Sequence, residues 1–229
     1  MLKISRKSFK DINLMMDTYK KLSLLSVTIL VLLITGCQTA PPYDYSALIA
    51  SKPKSILIIP PNNSSIDVNA PYIFLSTITK PIAEKGYYVF PVAVIDHFLK
   101  ENGLPTPAEM NTIPLDKIRE HIGADAVLYV SIEEWGQKYQ VISSKAVVRS
   151  TLKLVDTRTG DLLWESTAFA QQKSGDGGGG LLGAIISAAI EQVAGSLIDH
   201  TPQLSQWANQ GAVNNTNQGL LDGPYKKKE

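Results

Sequence analysis

The side chains best suited to chemistry in this 229-residue chain are few: three histidines, one cysteine and some adjacent acids. His97, His121 and His200 lie far apart, and no His-Glu-x-x-His or paired-cysteine spacing gathers ligands, so no metal site is expected. Asp96–His97 and Glu120–His121 could be acid–base pairs, but neighbours on a helix point to different faces. Glu133–Glu134 could be paired carboxylates for general acid–base work, but consecutive residues on a strand also face opposite sides. No Gly-x-Ser-x-Gly elbow occurs. Gly175-x-Gly177-x-x-Gly180 formally matches a dinucleotide-binding fingerprint, with Asp199 nineteen residues beyond. That fingerprint needs a following strand, and none is readable before Pro202. Five glycines in six positions generate such matches by composition alone. No Gly-Lys-Ser/Thr supplies a phosphate loop. No cofactor is expected, and the chain reads as non-enzymatic.

Cys37 is different. It cannot form an internal disulfide, because it has no partner. It follows Leu22–Ile34, thirteen uncharged residues of which ten are aliphatic, with Lys20 and Lys21 just before them. A bilayer-spanning helix needs about 20 such residues, whereas a secretory h-region needs about 7–15. The run closes in Leu33-Ile34-Thr35-Gly36-Cys37, which resembles the bacterial lipobox. In that motif the thiol takes a diacylglycerol and the leader is cut before the cysteine. Cys37 is therefore the expected lipidation site, and residues 1–36 the expected signal peptide. Its n-region is long, and a start at Met15 or Met16 would give a more typical leader. Each buried methylene of the acyl chains contributes about 0.8 kcal/mol, so several chains anchor a protein without a transmembrane helix. Gln38, rather than the Asp that resembles an inner-membrane retention signal, points to the outer membrane, with the body in the periplasm.

Charge narrows the partners. The whole chain carries a formal net charge of +1, but residues 1–36 hold six Lys/Arg and two Asp. Without them 16 basic and 19 acidic side chains remain, a net of −3. Such a body has no general attraction for phosphate backbones, and nucleic acid is not an expected partner.

The elements that would position these residues follow from hydrophobic pattern. Residues 37–54, with Pro41, Pro42 and Pro53, read as a lipidated tether. Ser55–Ile59 is a short continuous aliphatic strand, of the kind buried on both faces. Asn62, Asn63, Ser64 and Ser65 form a loop at its C-terminal end, where open α/β sheets bind ligands, making them a candidate ligand or partner loop. Pro71 opens a helix running to Lys85, shortened or kinked at Pro81, and Tyr87–Phe90 is a second strand. Val92–Lys100 and Leu115–His121 are helices separated by the loop "ENGLPTPAEMNTIP", and Asp125–Ile132 is a third strand. Tyr139–Asp156 and Leu162–Phe169, joined by a turn at Gly160, form an antiparallel hairpin. The fold class is α/β: a mixed sheet from a β-α-β-α-α-β unit plus that hairpin, with a C-terminal apolar helix packed on it. The periplasmic α/β domain spans residues 55–205, and residues 206–229 form a C-terminal tail.

The helix Leu181–Ile198 is apolar nearly all round before Glu191. Gly183, Ile186, Ser187 and Ile190 mark it as a candidate interface. Three readings stay open: packing across the sheet, packing at an oligomer or partner interface, or membrane insertion.

The body resembles a family of bacterial lipoproteins typified by a neisserial surface-antigen candidate. The matching segments are "SILIIPPNNSSIDVNAP", "LSTITKPIAEKGYYVFPVAVID", "GADAVLYVSIEEWG", "YQVISSKAVV", "LVDTRTGDLLWE" and "GLLDGP", in the same order. The resemblance implies an α/β fold related to the N-terminal domain of TolB-like proteins and to part of the curli-channel lipoprotein. It implies as partners the membrane, through Cys37, and other envelope lipoproteins of the curli-channel kind, with a homo-oligomer as a further candidate. It carries over no catalytic residue. The function expected is that of a protein-binding accessory factor in envelope assembly or secretion. The alternatives are a small-ligand or envelope-polymer binding module and, more weakly, a membrane-perturbing protein.

Overall fold

The computed structural model describes residues 15, 16, 19–21, 23, 41–139, 144–173 and 201–227. Two units separate, Met1–Pro42 and Tyr43–Glu229, and the second carries the fold. Cys37 lies outside the described residues, as does the Leu181–Ile198 helix with Gly183, Ile186, Ser187 and Ile190.

The elements of the body run α1 (Ser46–Ser51), β1 (Ser55–Ile58), β2 (Asn62–Asn63), α2 (Ala70–Glu84), β3 (Tyr88–Val89) and α3 (Val92–Glu101). They continue with α4 (Pro107–Met110), α5 (Leu115–His121), β4 (Ala126–Tyr139), β5 (Ser144–Asp156), β6 (Leu162–Lys173) and α6 (Thr201–Val213). The six strands make one mixed sheet in the order β3-β1-β4-β5-β6, with β2 pairing β4. β1 is parallel to both β3 and β4, whereas β4–β5 and β5–β6 are antiparallel. This is the mixed α/β sheet the pattern predicts.

The two sheet faces explain the two strand patterns. On one face Ile56, Ile58, Leu128, Val130, Leu152, Leu154 and Trp164 pack under Phe74, Ile78 and Ile82 of α2 and Leu204 and Ala208 of α6. On the other, Leu57, Ile59 and Val127 pack under Ile95 and Leu99 of α3, Met110 of α4 and Ile118 of α5. β1 is covered on both faces, so it reads as unbroken aliphatic. β5 is covered on one, so Ser150, Leu152 and Leu154 are buried while Lys153 faces water.

A polar seam joins the two helices of the first face. Thr77 Oγ1 lies 2.7 Å from Ser205 Oγ and accepts from Asn209 Nδ2 at 2.9 Å. Ser205 and Asn209 are fully buried, so these bonds offset desolvation that would otherwise cost about 1–3 kcal/mol per group. Pro81 sits inside α2 without ending it.

Three expectations need correction. Residues 206–227 are not a tail. Ala208, Ala212, Val213 and Leu220 are buried in the core, and three aromatic donors fix carbonyls around Leu220. Trp164 Nε1 donates to Gln218, Tyr45 Oη to Gly219 and Tyr87 Oη to Leu221, at 2.8, 2.6 and 3.0 Å. Burial pushes the Tyr87 hydroxyl up to about 12, with Asp222 adding to the effect, so it stays a donor. The tether likewise gives way before residue 54, because α1 forms there and buries Leu48. The "ENGLPTPAEMNTIP" loop contains α4, started by a reciprocal capping box between Thr106 and Glu109.

Candidate functional site

β1 ends at Ile58 and the chain crosses Pro60 and Pro61 before resuming as β2 beside β4. Asn62 pairs with Ser131 and Asn63 with Ile132, and the Ser64 N–H donates to the Ile132 carbonyl at 3.0 Å. The residues expected to be a plain loop therefore begin as a short strand. They lie at the C-terminal edge of the parallel part of the sheet, directly beside Glu133 and Glu134 of β4.

The loop is self-tied. Asn63 Oδ1 accepts from the Ser65 N–H at 3.0 Å and from Ser65 Oγ at 2.7 Å, while its Nδ2 donates to the Asp67 carbonyl at 2.8 Å. Asp67 Oδ1 accepts from the Asn69 N–H at 2.8 Å, leading the chain into α2. Such side-chain bonds are how Asn and Asp shape turns. They also commit the polar atoms of Asn63 to the protein. Beside exposed Asn62, Ser64 and Asn69, the loop offers two apolar side chains outward: Ile66 is 99% exposed and Val68 78%. Neither was singled out from sequence, although "SSIDVNAP" carries the signal, two β-branched residues stranded among polar ones.

The neighbouring carboxylates behave unexpectedly. β4 carries a bulge, with Ile132 opposite Ser150 but Glu134 opposite Arg149. Glu133 is the extra residue. A bulge breaks strict alternation, so the expectation that Glu133 and Glu134 face opposite sides fails. Glu133 Oε1 accepts from Thr151 Oγ1 at 2.6 Å and Glu134 Oε1 from Arg149 Nε at 3.0 Å. Residues 149 and 151 share one face of β5, so both carboxylates lie on the face away from α2 and α6. The Arg149 guanidinium is also 4.2 Å from the Phe169 ring centroid. Both acids are thus bound by neighbours, in a surface network suited to holding shape rather than moving protons.

The remaining candidates do not converge. His97 is exposed on α3, while its neighbour Asp96 pairs with Lys100 at 2.6 Å. Glu120 pairs with Lys117 at 2.7 Å, a bond that holds its carboxyl below the usual range, and His121 Nε2 stands 3.8 Å away. His200 lies outside the described residues. Among the described residues no three His, Cys, Asp or Glu side chains are placed to hold a metal ion, and no helix is long and apolar enough to cross a membrane.

Comparison with known proteins agrees with this architecture. Residues 43–225 match the family model described as "Putative lipoprotein GNA1162-like". The chain is 40% identical over 197 residues to the putative lipoprotein NMB1124/NMB1162 of Neisseria meningitidis serogroup B, covering 85% of this chain and 92% of that one. The crystal structure of lipoprotein GNA1162 from Neisseria meningitidis superposes with a TM-score of 0.52 at 40% identity, over 63% of this chain and all of that one. A PelC dodecamer from Paraburkholderia phytofirmans superposes more distantly, with a TM-score of 0.40 at 18% identity, over 66% of this chain and 87% of that one. With its fold and most of its length shared at this identity, the chain belongs to the GNA1162-like lipoprotein family.

Proposed function

We propose that this lipoprotein is a non-enzymatic accessory factor, anchored through Cys37 to the outer membrane, whose periplasmic body binds a protein partner in envelope assembly or secretion. One observation carries the binding role. The loop after β2 holds Ile66 and Val68 almost wholly in water on a backbone fixed by Asn63 and Asp67. Exposed aliphatic side chains on a preorganised loop are what a protein partner buries, at little entropic cost to the loop. The small-ligand reading is less well supported, because the polar atoms of Asn63 are already satisfied within the loop. Cys37 supports the anchor by its place after the apolar run, and Gln38 supports the outer membrane.

The test is crosslinking in native envelopes with a photoreactive residue at position 66. A defined partner band is expected. In the chain without the photoreactive residue, Ile66→Asp with Val68→Asp should weaken co-purification of that partner by roughly ten-fold, the effect of losing one modest interface anchor, without moving the unfolding midpoint. A chain that crosslinks to nothing, or a doubly substituted chain that co-purifies the partner equally well, would sink the proposal.

A further inference from the structure

Asn102–Gly103 is the one Asn-Gly pair in the chain, and it lies at the end of α3. Asn-Gly is the dipeptide most prone to spontaneous deamidation, because glycine has no side chain to keep its nitrogen from the neighbouring amide carbon. The same two residues stop the helix. Asn102 is the C-cap, and Gly103 takes φ +85°, where a side chain would be strained although nothing lies near enough to clash with one. The Leu104 N–H donates to the Leu99 carbonyl and the Gly103 N–H to the Lys100 carbonyl, both at 3.1 Å, which is the Schellman pattern. Leu104 packs against the cluster that holds buried Leu99, the apolar contact that accompanies this pattern.

Both nitrogens of the deamidation reaction are held by this cap. Asn102 Nδ2, the leaving group, donates to the Phe98 carbonyl at 2.7 Å. The Gly103 nitrogen, the nucleophile, is the one bound to Lys100. At ψ 18° that nitrogen lies almost eclipsed with the nitrogen of Asn102 itself, on the side away from Cβ. It reaches Cγ only if Asn102 turns about its Cα–C bond, which breaks the cap. The pair is exposed, and the last turn of a helix opens locally at far lower cost than the whole fold.

We propose that Asn102 is a site of spontaneous deamidation that the α3 cap restrains and whose products cannot rebuild the cap. When the turn opens, the Gly103 nitrogen gives up its proton and bonds to Asn102 Cγ. The Cγ–Nδ2 bond breaks, and ammonia leaves with that proton. Water then opens the cyclic imide. Attack at Cγ leaves an aspartate, and attack at the backbone carbonyl leaves an isoaspartate whose main chain runs through Cβ. The aspartate is acceptor-only, so it loses the bond to Phe98 and sets a negative charge at the negative end of α3. The isoaspartate lengthens the main chain between Leu99 and Leu104, and the spacing of both cap bonds is lost. Either product leaves α3 without its stop, so the step runs one way. The end of α3 also carries Lys100, which pairs with Asp96 at 2.6 Å and stands 5.8 Å from the centroid of the Tyr72 ring on α2. Deamidation therefore loosens a contact between the two helices. None of this depends on the anchor at Cys37 or on Ile66 and Val68.

The test is peptide mass spectrometry of the full-length chain, aged at neutral pH in its membranes and, in parallel, in urea. Trypsin releases residues 101–117, and fragmentation separates Asn102 from Asn111. Conversion of an amide to a carboxyl at Asn102 is expected in both samples, at least about ten-fold slower in the folded chain, as for a turn open less than a tenth of the time. Leu104→Ala removes the apolar contact of the cap and keeps the Asn-Gly pair. It should speed conversion several-fold in the folded chain and leave the rate in urea unchanged, with thermal unfolding showing that the variant is folded. Asn102→Asp makes one product directly and should raise hydrogen exchange at the Gly103 and Leu104 amides. Equal rates in folded and urea-treated chains overturn the proposal, as does a folded Leu104→Ala chain that converts no faster than the parent. So do an Asn102 that stays intact in both folded chains while the urea sample converts, or an Asn102→Asp chain whose two amides stay as protected as before.

Discussion

Asp156 closes β5 with its side chain 1% exposed and takes four hydrogen bonds. They come from Ser51 Oγ, from Arg158 Nη2 at 3.1 Å, and from the Arg158 and Thr159 N–H groups at 2.6 and 3.2 Å. Burial pushes this carboxyl up, but the four donors more than reverse that and hold it down at about 2. A carboxyl lower in the folded than in the unfolded state stabilises the fold when ionised. That stabilisation is fully present above about pH 4 and is lost as the pH falls through about 2. A shift of this size is worth roughly 2 kcal/mol. Asp156→Asn is therefore expected to lower stability by about that much at neutral pH. Urea unfolding of the two chains between pH 7 and pH 2 is the measurement, and the two curves should converge as the acid limit is approached. A variant as stable as the parent at neutral pH would show that the donors merely accompany the turn. None of this was legible at Asp156 itself. The turn "DTRTGD" was readable, but Ser51 comes from a segment that looked like tether.

Between elements, the C-terminal segment is where local pattern failed most. "GLLDGP" offers two apolar residues, too few to announce a core element. Its glycines answer to backbone far away in sequence. A Cβ on Gly223 would lie 2.6 Å from the Gly86 carbonyl oxygen and 2.9 Å from Tyr87 Cγ. Gly86, at φ +88°, would set a Cβ 2.2 Å from the Lys226 nitrogen. Two chain segments meet there without room for side chains. Gly223→Ala should prise this strap from the turn between α2 and β3 and cost about 1–3 kcal/mol by overpacking. A lower urea midpoint together with faster proteolysis at Lys85 would report it; an unchanged midpoint would mean that the strap shifts freely. The β4 bulge has the same lesson. Glu133 and Glu134 look like alternating strand residues until the pairing with β5 slips by one, and pairing is a long-range property. The hairpin itself was readable, because alternation and turn chemistry are local.

For the whole molecule, the envelope assignment rests on the N-terminal stretch and the binding role on the body. Cys37→Ser is expected to move the chain from the membrane fraction to a salt-extractable one, because the proposed anchor is the acyl chains on that thiol. Retention of the variant in washed membranes would argue for an uncleaved leader instead. Sequence alone showed the lipobox-like stretch ending at Cys37, the acidic body, the mixed α/β class and the wide spacing of the histidines, since each depends on composition or on patterns within one element. Tertiary structure alone decided that residues 206–227 pack against the body and send Ala208, Ala212, Val213 and Leu220 into its core, that Glu133 and Glu134 share a face, and that Ile66 and Val68 stand in water. These are properties of contacts between distant segments. Hydrophobic periodicity shows that a residue has an inside and an outside, but only the assembled sheet shows which outside is left uncovered.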